Sequence, residues 1–268
     1  MGGIIIRCMK KCCVWLVLLM ICFSCVAWAG SVDAVQQRNA QLSDFARLHA
    51  RLADGATPML WLFIGDSITH GCLHTHGQRS CAEHWMEIVK WEVRTPDGAR
   101  RTNDLVLNAG VSGETATGFL AHADWRLLPF QPHVVFINFG INDGDKFGDT
   151  EKFRADLTAI VRLVKEKNAI PVLQTNTLTL RAKDFRPHFS AVVREVADAE
   201  QALLVDHAAA WEELVEHGAK DSASVPAPRR LMNNDLHPNG AGHLLMAQTI
   251  ARSLRIVPAG SPTLNRQP

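Results

Sequence analysis

Five short apolar runs, each followed by a stretch of helical periodicity, constrain this chain more than any other feature. The runs span residues 59–64, 105–107, 133–139, 170–174 and 202–205. They are nearly continuous in apolar residues, as in Val134-Val135-Phe136-Ile137, rather than alternating with polar ones. Strands of that kind are covered on both faces. Between them, one helical face carries Phe153, Leu157, Ile160, Val161 and Val164 over 150–167, and another carries Phe189, Val192, Val193 and Val196 over 186–201. A third, over 239–254, carries Leu244, Leu245, Ala247 and Ile250. Strands alternating with helices pair in parallel, so the expected fold is α/β, a three-layer α/β/α sandwich around a central five-stranded parallel sheet.

The sandwich is expected over residues 59–257, a size within reach of a single domain. A helical segment over 30–58, with Leu42, Phe45, Ala46, Leu48 and Leu52 at helical spacing, precedes it. Residues 218–230 and the tail over 258–268 are rich in small residues and proline and are expected to be flexible. The net charge of +1 and the lack of any sustained Lys/Arg run give no sign of nucleic acid or an anionic membrane surface as partner.

Residues 1–29 read as a secretory signal. Arg7, Lys10 and Lys11 precede an apolar core over 14–26, and Ala27-Trp28-Ala29 forms a small-x-small cleavage site. The apolar core is shorter than the ~20 residues of a membrane span. The expected location is therefore the periplasm or the exterior, with no stable membrane insertion after cleavage. Export leaves two of the seven cysteines, Cys72 and Cys81, close in sequence in an oxidising compartment. They are candidates for a disulfide, or else two unrelated thiols. His70, His74, His76 and His84 lie nearby, but their spacing matches no zinc ligand set, and no metal or organic cofactor is expected.

A parallel sheet binds its ligands beyond the carboxyl ends of its strands. Three polar or backbone-exposing positions fall there. Ser67 follows the first run in Gly65-Asp66-Ser67, Gly110 follows the second, and Asn142 follows the third in Gly140-Ile141-Asn142-Asp143. A serine becomes a nucleophile when a base takes its proton and donors receive the charge that builds on the substrate oxygen. His237, in Asp235-Leu236-His237-Pro238, titrates near neutrality and can be that base. A glycine at 110 lets a backbone N–H approach the substrate, and the Asn142 amide can donate to the same oxygen. Trp125, Phe119, Phe147 and the 70–84 loop are candidate pocket walls, or core residues in the case of the aromatics.

Gly-Asp-Ser, a glycine, Gly-x-Asn-Asp and a late His-Pro, in that order over residues 59–250, resemble the SGNH hydrolase superfamily, also called GDSL esterases. The resemblance implies a flavodoxin-like SGNH hydrolase fold. It implies Ser67 as nucleophile, His237 as base, and an oxyanion hole made by Ser67 N–H, Gly110 N–H and the Asn142 amide. In that family an Asp three residues before the His completes the triad; here Asn234 holds that position and Asp235 lies two before. Asp235 is the favoured partner of His237, with Asn234, or a dyad supported by a backbone carbonyl, as alternatives. The expected activity is that of a secreted serine esterase acting on small-molecule or glycan esters, with carbohydrate O-acetyl or other short-chain esters foremost. A lysophospholipase-like lipase, a polysaccharide O-acyltransferase and a non-catalytic glycan-binding protein on the same fold stand as alternatives.

Overall fold

The computed structural model describes residues 31–71, 75–181, 186–218 and 227–267. The expected 31–56 helix is two helices, α1 (Val32–Asn39) and α2 (Ser43–Ala53), parted where Leu42 takes an extended backbone. The break has a packing reason. Val35 of α1 enters the core on one side of the sheet, while Leu48 and Leu52 of α2 enter the core on the other.

β1 (Leu60–Gly65) then delivers the one-turn helix α3 (Ser67–His70), and α4 (Cys81–Trp91) leads to β2 (Leu105–Asn108). Two short helices, α5 (Ala116–Ala121) and α6 (Ala123–Arg126), precede β3 (Val134–Asn138). Next come α7 (Ile141–Lys146), α8 (Thr150–Glu166), β4 (Ile170–Gln174), α9 (Arg186–Ala199) and β5 (Leu203–Val205). The chain continues through α10 (His207–Gly218), α11 (Ala227–Arg230), α12 (Gly240–Leu254) and α13 (Pro262–Asn265).

The five strands are all parallel, in the order β2-β1-β3-β4-β5. Successive strand residues point to opposite faces. Trp61, Phe63, Val134 and Phe136 accordingly pack under α2, α4 and α12, while Leu62, Ile64, Val135 and Ile137 pack under α5, α8 and α9. Strand order reverses between β1 and β3, and the crevice at such a reversal is where open α/β sheets hold their ligands.

The N-terminal segment is built into this body. Asn39 Nδ2 donates to Leu204 O and Ser253 O, and Asn39 Oδ1 accepts from Leu204 N–H, so one side chain satisfies the outer edge of β5. The tail expected to be flexible is held by hydrogen bonds as far as Arg266. Gln248 Nε2 donates to Thr263 O and Arg266 O, and Ser261 and Thr263 bond Glu92. Polar contacts rather than an apolar run hold it, which is why its composition reads as mobile.

Most of the 218–230 stretch, and all of 1–29, lie outside the described residues. No helix among the described residues is long and apolar enough to cross a membrane. Cys81 is a free, buried thiol, and Cys72, the other half of the candidate disulfide, lies outside the described residues. Cys81 opens α4 with its side chain in the core, and that burial pushes its thiol pKa up.

Candidate active site

Gly65 ends β1 so tightly against its neighbours that a Cβ there would lie 2.4 Å from Asn138 O. Asp66 then caps α3, its Oδ1 accepting from Ile68 N–H at 2.9 Å. Ser67 thereby becomes the first residue of a helix at the sheet's carboxyl edge, nearly buried. Its Oγ lies 3.0 Å from His237 Nε2. The two residues are 170 positions apart, and the fold brings them to hydrogen-bonding distance.

His237 sits at the base of a small closed loop. Met232 bridges Pro238, Asn233 N–H donates to His237 O, and Asn239 N–H donates to Leu231 O. Asn239 then caps α12. Inside the loop, Asn234 Oδ1 accepts from Leu236 N–H at 2.8 Å and His237 N–H at 2.7 Å. The same carboxamide reaches the imidazole: Oδ1 lies 3.3 Å and Nδ2 3.2 Å from His237 Nδ1.

Asp235 goes elsewhere, against the expectation that favoured it. Its carboxylate is exposed and lies 3.4 Å from Arg181 Nε, while its backbone O accepts from Leu180 N–H and Thr179 Oγ–H. Residues two apart do not share a direction in this tight loop, whereas residues three apart do.

Gly110 lies against the backbone of α3, where a Cβ would fall 2.5 Å from His70 N. Only a glycine permits that approach. Its N–H donates to Asn108 Oδ1 at 3.0 Å, and Asn108 Nδ2 donates in turn to Thr69 O. Asn142 stands in the first turn of α7, with Nδ2 donating to Glu114 O at 2.9 Å. Gly140, before it, adopts φ +127°, and a Cβ would come within 2.7 Å of Asn176 Nδ2. Asp143 ties the segments together, accepting from Ala116 N–H and Gly140 N–H.

Two carboxyls here are displaced from their usual range. Burial pushes Asp66 up to about 7, and its Oδ2 has no partner. Burial likewise raises Asp143 to about 6 despite its backbone donors. Beside His70 and Asn108 a cleft of about 370 Å³ opens, lined by Ser80, Ala82, Glu83, Met86 and Val106. Of the aromatic candidates, Phe119 is wholly buried in the core, whereas Trp125 and Phe147 are exposed. No group of three or more His, Cys, Asp or Glu among the described residues could hold a metal ion.

Residues 63–245 match the model of the GDSL-like lipase/acylhydrolase family. An arylesterase of Vibrio mimicus is 23% identical over 72% of this chain and 86% of its own length. A thioesterase 1/protease 1/lysophospholipase L1 of Escherichia coli is 25% identical over 72% of this chain and 82% of its own. An acetylxylan esterase of Geobacillus stearothermophilus is 25% identical over 72% of this chain and 92% of its own. The structure of a catalytic mutant of an acetylxylan esterase from that organism superposes with a TM-score of 0.58, covering 73% of this chain and 94% of the other at 22% identity.

Proposed function

The chain belongs to the GDSL-like lipase/acylhydrolase family and is a carboxylic ester hydrolase, and we propose that Ser67 is its nucleophile and His237 its general base. The observation that carries the assignment is the 3.0 Å separation of Ser67 Oγ and His237 Nε2 at the carboxyl edge of the sheet. His237 Nε2 takes the Oγ proton as Oγ attacks the ester carbonyl carbon. The charge on the tetrahedral oxygen is received by Ser67 N–H, Gly110 N–H and the Asn142 amide. The charged oxygen is a stronger acceptor than the Asn108 amide that holds Gly110 N–H in the resting site. The imidazolium returns its proton to the leaving alcohol, leaving an acyl-enzyme. Water, deprotonated by the same Nε2, then releases the acid and frees Ser67.

Asn234, not Asp235, is the partner of the imidazole in this reading. Its Oδ1 can accept from Nδ1–H, the tautomer that leaves Nε2 free to act as a base. As a neutral amide it gives the imidazolium less stabilisation than a carboxylate would.

The substrate class is a short-chain ester, foremost an O-acetyl group on a carbohydrate. The small cleft beside His70, which closes the one-turn helix that Ser67 opens, mixes His70, Glu83 and Asn108 with Met86 and Val106, a lining that suits a sugar better than a long acyl chain. An acetylxylan esterase is among the relatives. We further propose cleavage after Ala29 and export, on the strength of the charged, apolar and small-x-small pattern over 1–29.

Hydrolysis of p-nitrophenyl esters of increasing acyl length, and of acetylated xylo-oligosaccharides, tests the reading beside Ser67→Ala. Turnover that is highest for acetate and lost in Ser67→Ala is expected. A preference for long acyl chains would move the substrate to lysophospholipids. An undiminished Ser67→Ala would overturn the assignment.

A further inference from the structure

Arg126 is 1% exposed, an unusual place for a guanidinium. It closes α6, lies over the Phe119 ring at 5.1 Å, and leaves its own Nε without a partner. A buried ion pair of this kind is weak evidence for stability, since an apolar side chain of similar volume often serves the core as well. Its two strong bonds suggest a different role. Nη2 donates to Ala109 O at 2.7 Å, and Nη1 donates to Glu114 Oε2 at 2.5 Å.

The first bond acts on Gly110. Ala109 C=O and Gly110 N–H belong to one planar, trans peptide unit, so the two point in opposite directions. Fixing the carbonyl fixes the direction of the N–H, and a cation on the carbonyl makes that N–H a better donor. The second bond acts on Asn142. Glu114 is held by Arg126 and by Thr115 N–H, and its backbone O receives Asn142 Nδ2 at 2.9 Å. Room for that carboxylate is made by Gly118, where a Cβ would fall 2.0 Å from Glu114 Oε1.

We propose that Arg126 is a positioning residue that presets Gly110 N–H, through Ala109 O, and the Asn142 amide, through Glu114, to receive the transition-state oxyanion. This rests on reading those two groups as oxyanion donors. Buried at 1% exposure, Arg126 acts through other groups, orienting one donor that follows β2 and one in α7 with one rigid fork.

Kinetics of Arg126→Met, Arg126→Lys and Glu114→Gln on p-nitrophenyl acetate test it, with active sites counted by a serine-directed phosphonate. Arg126→Met is expected to lose about 10–100-fold in kcat per titrated site, with KM within about twofold, in the range set by loss of an oxyanion donor. Arg126→Lys is expected to recover part of the loss, since it keeps a charged donor for Ala109 O. Glu114→Gln is expected to fall between wild type and Arg126→Met. The Gly110 amide resonance, followed with ¹⁵N-glycine labelling, is expected to move upfield in Arg126→Met.

An unchanged kcat per titrated site in a folded Arg126→Met would overturn the inference. So would a loss of activity that only tracks the loss of titratable sites. Should Arg126→Met not fold, Arg126→Lys and Glu114→Gln decide, and wild-type kcat in both sinks the idea. Wild-type turnover that survives in Ser67→Ala would instead mean that the reading of the site has failed, whatever Arg126 does.

Discussion

At the scale of single residues, Asn234 sets how well the imidazole would work as the proposed base. Its Oδ1 already accepts from Leu236 N–H and His237 N–H, and its Nδ2 stands as near to Nδ1 as Oδ1 does. If Nδ2 donates to Nδ1, the ring proton moves to Nε2 and faces Ser67 in the wrong sense for a base. A carboxylate at 234 keeps both backbone acceptor contacts and permits only the useful tautomer. Asn234→Asp is therefore expected to raise kcat about tenfold or more, since the reverse change in a serine protease costs about 10⁴. The imidazole pKa read from the pH–rate profile should rise with it. Asp235→Ala, losing only an exposed contact with Arg181, should stay within about twofold of wild type. Equal or lower activity in Asn234→Asp would show that the amide is already the better partner. That Ser67 and His237 would meet, with Gly110 against α3, was legible in the sequence because strand ends and motif order mark those positions. The choice between 234 and 235 was not, because it depends on how a seven-residue loop closes on itself.

Among the elements, α4 shows where periodicity stops being enough. All five strands and the long helices α8, α9 and α12 follow from apolar spacing, with ends that shift by a residue or two. The 70–84 stretch reads as a histidine-bearing loop, yet Cys81 begins a helix that buries Trp85, Ile88 and Val89. The signal was present as Ser80-Cys81-Ala82-Glu83. Ser80 Oγ receives Glu83 N–H, while Glu83 Oε2 receives Ser80 N–H, a reciprocal cap. Ser80→Ala removes one half of it and is expected to lower stability by ~1 kcal/mol in denaturant unfolding. Because Ser80 and Glu83 also line the cleft beside His70 proposed for the glycan, KM for a glycan ester should rise in the same variant. A stability loss with no change in KM would separate the cap from the cleft.

For the molecule as a whole, Asp66 couples the fold to pH. Its carboxyl ionises near 3.8 when unfolded and near 7 when folded, because burial disfavours the charged form. The folded state therefore holds the proton more tightly. The stability this contributes is complete below about pH 4 and is lost as pH rises through about 7. His207, buried and lowered to about 4, acts in the opposite sense, adding stability as pH rises from about 4 to 6.5. Asp66→Asn keeps an acceptor for Ile68 N–H but cannot ionise. Its stability relative to wild type is expected to increase between pH 4.5 and pH 8, by at most ~4 kcal/mol for a three-unit displacement. Urea unfolding at the two pH values measures this, and a difference that stays constant would mean that Asp66 ionises in the fold as freely as outside it.

The grip of Asn39 on Leu204 and Ser253 also has a temporal side. A ribosome makes residue 39 long before β5, so the group that will occupy the strand's open edge already exists when the strand emerges. Bare strand edges recruit other chains. Here the cover is synthesised before the edge, and once Asn39 is seated on Leu204 a neighbouring chain must displace it to add a strand there. The arrival of α12 then locks the cover in place, so the start and the end of the chain share the task of keeping the sheet at five strands.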